Sequence, residues 1–275
     1  MRNIQPWLKQ IAKFGLILMM GVSMNTNAGL FGLGGTSWKE EVLLHDGGKI
    51  IVKRSQGYGG RHEIGQSPPV KEQEITFTVP KTNKTLTFKS EYGEDIGRAN
   101  FKLLALHILN GMPYIVAAPN LCLSYNKWGR PNPPYVIFKH DGKEWKRITL
   151  QELPTEFKEI NLVIETKGEA ENLEAQAIVT AELVKKMNSE LEQPEYKTIL
   201  REALKGGLGI TSCEELLPDG KGGWLGSGWF KHSTQEECTK FCARKKITAE
   251  FCKCFISNIK FINISTNLSR CFCGE

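Results

Sequence analysis

Several familiar kinds of chemistry are missing from this 275-residue sequence. It has no G-x-S-x-G nucleophile elbow and no H-E-x-x-H motif, and His62-Glu63 has no second histidine four residues on. It has no C-x-x-C redox pair. The glycines of GYGGRHEIG precede no Gly-Lys-Ser/Thr, and Pro68-Pro69 break the helix that a phosphate site needs. The histidines, at positions 45, 62, 107, 140 and 232, are scattered, and His107 and His140 read as strand-face residues rather than bases. Carboxylate pairs for glycoside hydrolysis carry no weight, because a chain that is 24% charged always supplies some pair. No catalytic residue, metal or cofactor is assigned on this basis.

Charge of one sign is also scarce. The formal charge of +6 falls to +3 if Arg2, Lys9 and Lys13 leave with a signal, and it is dispersed. Nucleic-acid binders carry a concentrated basic face instead, so that partner is not expected. After residue 36 no apolar run is long enough to span a membrane.

What is present begins with an address. Met1 to Lys13 is basic and free of acids, FGLILMMGV (14–22) is a short apolar run, and SMNTNA (23–28) ends in a small residue. That order reads as a secretory signal peptide over 1–28, with cleavage after Ala28 or nearer Ser23. Residues 29–37 read as a flexible leader. The expected location is periplasmic or secreted.

Residues 38–167 read as an antiparallel β-meander. Tight-turn residues punctuate β-rich arms at Asp46–Gly48, Thr82–Lys84, Asn110–Gly111 and Asp141–Gly142. With no regular repeat of 40 residues, a barrel-like or sandwich sheet is favoured over a propeller. The loop Ser55–Pro69 is glycine-rich and reads as exposed. Residues 168–207 read as a helical segment, with Leu173, Ala177, Thr180, Val184, Met187 and Leu191 near one face and a second piece starting at Pro194. It would pack on the sheet, space sheet from tail, or offer a coiled-coil face. The class is mostly β with α (α+β), completed by a small disulfide-rich module at 208–275. Its helix is expected to start at Ser233, where Ser233 and Glu236 match a capping box, and to run to Lys246.

All eight cysteines lie outside the signal: Cys122, then Cys213, Cys238, Cys242, Cys252, Cys254, Cys271 and Cys273. An even count in an exported chain argues for disulfides. Zinc prefers C-x2-C or C-x4-C pairs, whereas the spacings here are C-x3-C and C-x-C. Residues four apart share a helix face and residues two apart share a strand face, so such pairs can be stapled together. Cys122 is read as a bridge to the tail or, alternatively, as a nucleophile beside a histidine.

The order of Cys213, Cys238, Cys242, Cys252, Cys271 and Cys273 resembles the cysteine-stabilised α/β motif of defensin-like domains. The resemblance implies that Cys238 and Cys242 pair with Cys271 and Cys273 across a hairpin formed by residues 255–268. Cys122, Cys213, Cys252 and Cys254 would form two further bridges, with Cys122–Cys213 tying sheet to tail. Partners of Cys252 and Cys254 are expected upstream. The long gap from Cys252 to Cys271 and the extra Cys254 depart from the motif, and no toxin activity carries over.

The stretch LSYNKWGRPNPPYVIF (123–138), with its flanks over residues 90–165, resembles a group of secreted proteobacterial proteins of unassigned function. It implies an envelope or secreted location and no activity. Trp128, Arg130 and Tyr135 in that stretch form one candidate ligand platform, an aromatic face beside an arginine fork. The alternative is a rigid proline-rich connection with Trp128 packed beneath it. Trp224 and Trp229, in a glycine-rich loop, form a second candidate face, for carbohydrate or cell wall, or else the module's own core. The favoured role is a non-enzymatic envelope or secreted protein that binds a glycan or protein surface. The rivals are a secreted hydrolase and an effector acting through its tail.

Overall fold

The structure is a computed structural model that describes residues 35–90, 92–164, 170–205, 207 and 209–256. The signal peptide and most of the leader therefore lie outside the described residues, as do Cys271, Cys273 and the hairpin expected after Ile256. Among the described residues no helix is long and apolar enough to cross a membrane.

The fold is mostly antiparallel β-sheet with helices, and the strands form two four-stranded sheets rather than a closed barrel. The first sheet has the order β1 (Gly35–Leu43), β2 (Lys49–Tyr58), β3 (Val70–Thr78) and β4 (Thr85–Ser90). A short pair, β5 (Tyr92–Gly93) and β6 (Arg98–Ala99), leads to the second sheet. That sheet holds β7 (Phe101–Leu109), β8 (Met112–Pro119), β9 (Val136–His140) and β10 (Trp145–Ile148) in the order β10-β9-β8-β7. All four expected turns join neighbouring strands. At Asn110–Gly111 both residues take positive φ, 52° and 77°, which Asn-Gly tolerates at little cost.

The inner faces of the two sheets share one core. Val42, Val52, Ile75, Phe77 and Phe88 meet Phe101, Leu103, Leu106, Ile108, Ile115 and Val136. A register shift between Leu103 and Ala105 reverses the parity of β7, so Leu103 and Leu106 face inward while Leu104 and Ala105 face the other way. That second face of the sheet is also buried. Leu104, Tyr114, Val116, Tyr135 and Ile137 lie under Leu153, Phe157, Ile160, Ile164 and Ile199. Burial on both faces explains why β7 and β8 read as nearly continuous apolar runs.

The free edge of β7 is closed by the chain around residue 160. Leu162 N–H donates to Leu104 O at 3.1 Å. Asn161 accepts from Leu106 N–H at 2.9 Å and donates to Leu106 O at 2.8 Å and Leu43 O at 2.9 Å. One amide side chain thus completes the ladder and ties the two sheets.

The helical segment expected over 168–207 is more broken than its two expected pieces, although a second piece does start at Pro194. The described chain there has α2 (Ala170–Glu174), α3 (Ala181–Ser189) and a 3-10 turn, Pro194–Tyr196. Before α2, α1 (Leu121–Lys127) leaves β8. The break falls at Ile178-Val179-Thr180, three β-branched residues that favour extended backbone. Val179 joins the edge of β1 through Val179 N–H to Lys39 O and Glu41 N–H to Val179 O. Thr180 then caps α3, accepting from Leu183 N–H at 3.2 Å. Leu173, Val179 and Val184 pack with Trp38 and Val163, so the segment packs on the sheets.

The C-terminal module follows. It contains β11 (Leu216–Pro218), β12 (Trp224–Gly226), β13 (Lys231–His232), α4 (Gln235–Lys245) and β14 (Phe255–Ile256). Its own core holds Leu217, Phe230, Cys238, Phe241, Cys242, Ile247 and Cys252. The capping box lies one residue later than expected: Thr234 Oγ1 accepts from Glu237 N–H and Glu237 accepts from Ser233 N–H. Lys246, in the left-handed conformation, ends the helix.

Three disulfides lie among the described residues: Cys122–Cys213, Cys238–Cys254 and Cys242–Cys252. The bridge from sheet domain to tail is as expected. The pairing of Cys238 and Cys242 with Cys271 and Cys273, implied by the defensin-like order, is corrected. After Lys246 the chain reverses, with Ile247 N–H bonded to Cys242 O at 2.9 Å and a tight turn at Thr248–Phe251. The first C-x-C pair to return past the helix meets its C-x3-C pair, closing loops of only 16 and 10 residues' separation.

Candidate functional site

Trp128, Arg130 and Tyr135 do not form one open platform. Trp128 caps α1 half-buried, its ring 4.6 Å from Phe101 and its Nε1–H donated to Asn100 Oδ1 at 3.3 Å. Arg147 covers it at 5.5 Å. The fork of Arg130 is already occupied: it donates to Cys213 O at 2.7 Å, Glu214 O at 3.1 Å and Asn126 Oδ1 at 3.1 Å, with Tyr125 beneath it at 5.0 Å. Arg130 therefore clamps the tail beside the Cys122–Cys213 bridge. Tyr135 is buried, and its hydroxyl serves Glu195 O, Thr198 O and Leu200 N–H. Burial holds that hydroxyl far above the usual phenol range.

The second aromatic pair is placed differently. The hairpin of β11 and β12 turns on Asp219, whose carboxylate accepts from Lys221 N–H at 2.8 Å and Gly223 N–H at 2.9 Å. The Lys221 bond is the main cause holding that carboxyl below the usual range. Gly220 sits at φ 78°, where a Cβ would meet Thr248 Oγ1 and Phe251, so only glycine fits the turn. Trp224 is half-buried on β12.

A 3-10 turn at Ser227–Phe230 then splits two neighbours: Phe230 is fully buried and Trp229 is 57% exposed. Trp229 lies nearly parallel to Phe241, with centroids 6.2 Å apart and planes at 17°. Lys245 Nζ is 5.4 Å from the same ring. Phe241 and Lys245 are one turn apart on α4, so the indole rests along that helix face. His232 Nε2–H donates to Trp229 O at 3.1 Å, and its ring lies 5.3 Å from Phe241. The result is an exposed aromatic surface packed on Phe241, with a cation over its ring.

No protein-family model, curated protein or solved structure matches the chain. The residues themselves carry the functional reading.

A groove of about 490 Å³ runs between the β1–β2 turn, residues 156–161 and α3. Leu43, Leu44, Ile160 and Val184 make it apolar, and His45, Glu156, Lys158 and Lys185 bring polar groups. Beneath it, His107 stacks on Phe157 at 4.6 Å, and His45 lies 6.3 Å from His107. His107 Nε2–H donates to Glu159 O at 2.9 Å, which leaves Nδ1 as a lone pair with no partner among the described residues. Burial pushes His107 down to about 4 against the raising effect of that carbonyl. It is a neutral core residue on a strand face. Among the described residues, the groove lining has no serine, threonine or cysteine for a histidine to activate.

Proposed function

We propose that the protein is an exported, non-enzymatic binding protein that engages glycan through the exposed indole of Trp229. The observation that carries this is an indole left 57% exposed yet fixed from behind by Phe241 and Lys245. A pre-ordered aromatic face lets a sugar ring stack with little loss of side-chain freedom. The lysine adds a hydrogen-bond donor beside the indole. Three disulfides and the order of the N-terminal residues support an oxidising destination.

The test is co-sedimentation of the oxidised protein with insoluble cell-wall polysaccharide. The wild type is expected to pellet with the glycan, and Trp229→Ala to lose affinity by about tenfold or more, as truncated aromatic anchors do. Trp128→Ala, which disturbs a packed residue, serves as the control and should bind like the wild type wherever it folds. Equal sedimentation of wild type and Trp229→Ala, or binding to protein surfaces with none to glycan, would overturn the reading.

A further inference from the structure

Four sulfurs from two short segments converge in the module core. The Sγ atoms of Cys238, Cys252 and Cys254 lie within 4.8 Å of one another, and Cys242 is bonded to Cys252. Cys252 and Cys254, which share no disulfide, have sulfurs 4.0 Å apart. Zinc–thiolate bonds of about 2.3 Å place the sulfurs of a tetrahedral site roughly 3.8 Å apart. The non-bonded pair already has that spacing.

The geometry points to a second state of this cluster: with both module disulfides reduced, Cys238, Cys242, Cys252 and Cys254 hold one zinc ion. Each ligand pair is carried by an ordered element. Cys238 and Cys242 share one face of α4, and Cys252 is held by its N–H bonds to Thr248 O at 3.1 Å and Ala249 O at 3.2 Å. The Cα atoms of the bridged pairs stand 5.8 and 5.9 Å apart. Side-chain rotation separates the sulfurs once the bonds are broken. Cys238, Cys242 and Cys252 are buried and Cys254 is half-buried, as befits a closed structural site with no water position.

Charge also fits. Four thiolates on zinc carry a net charge of −2. The segment from Cys238 to Cys254 holds Lys240, Arg244, Lys245, Lys246 and Lys253 against the single acid Glu250. The unusual C-x3-C and C-x-C spacings are no obstacle, because the fold rather than the sequence interval brings the sulfurs together.

The balance is simple. An external thiol or phosphine supplies four electrons, with four protons, to cleave the two disulfides, and is itself oxidised. Zinc then displaces the four thiol protons to solvent. The same residues thus staple the module where it is oxidised and give it a metal core where it is reduced, independently of what Trp229 binds.

The full chain is tested after anaerobic reduction with a phosphine, addition of zinc and removal of the excess by gel filtration. About one zinc per reduced chain and essentially none per oxidised chain are expected, and cobalt in place of zinc should give the visible bands of a tetrahedral thiolate site. Cys252→Ser/Cys254→Ser should lose the metal, and Cys271→Ser/Cys273→Ser should keep it. Because only metal content and cobalt spectra are read, a reduced module that folds only on binding zinc still reports. No retained zinc, or retention that depends on Cys271 and Cys273 and survives loss of Cys252 and Cys254, overturns the proposal.

Discussion

Glu40 and Arg54 are both almost fully buried on the inner face of the first sheet, joined at 2.9 Å. Trp38 Nε1–H donates to the second carboxylate oxygen at 2.7 Å and its ring lies 5.2 Å from the guanidinium. Gln73 takes a longer bond from Arg54 at 3.4 Å and donates to Phe101 O. Such a pair contributes little net stability when intact but is costly to halve, because the survivor is a buried charge with no counterion. Glu40→Ala is expected to destabilise the fold by roughly 3–5 kcal/mol in urea denaturation, and the paired change Glu40→Leu/Arg54→Met by clearly less. A double variant as unstable as the single one would contradict this account. The pair was open to detection in the sequence. Trp38, Glu40 and Val42 alternate on one side of β1, and so do Val52, Arg54 and Gln56 on β2. Counting parity inward from the hydrophobic residues places both charges in the core.

At the scale of elements, His107 joins the second sheet to the segment that covers it, stacking on Phe157 and donating to Glu159 O. Folding keeps it neutral with a pKa of about 4, whereas the unfolded chain takes up the proton from about 6.5 downward. Between those values the unfolded state binds more protons, so stability must fall as pH drops from 6.5 towards 4. The loss from this group is at most about 3 kcal/mol. The groups facing it are His45 and the Glu159 carbonyl, with Phe157 stacked on its ring. His107→Phe should show a flatter decline in urea midpoint between pH 7 and 4.5 than the wild type, and equal slopes would refute the assignment. Elements were legible where local chemistry dictates them. The four turns and the cap near Ser233 follow from residue type. The bulge in β7 was not, because an extra residue leaves no mark in a run as apolar as FKLLALHIL. Nor was the break at Val179, where pairing with β1 overrides a helical stripe. The exposed Trp229 was only half legible. Its residue type marked it as a candidate, but the support from Phe241 and Lys245 arises from α4, ten or more residues further on.

At the scale of the molecule, the sandwich core, the second buried face and the module core are held together across the 91-residue span closed by Cys122–Cys213. Of the three described bridges this one closes the largest loop, so the chain-entropy model gives it the largest stabilisation, roughly 4–5 kcal/mol against about 3 for each module bridge. It also decides what a protease can achieve. Lys205 is exposed between the two cysteines. Tryptic cleavage there should give two fragments on a reducing gel and a single band at the mass of the intact chain on a non-reducing one. Separation without reductant would show the bridge to be open. A nicked molecule therefore keeps its C-terminal module attached, and damage to the backbone over this span does not release the aromatic surface from the sheets that carry it.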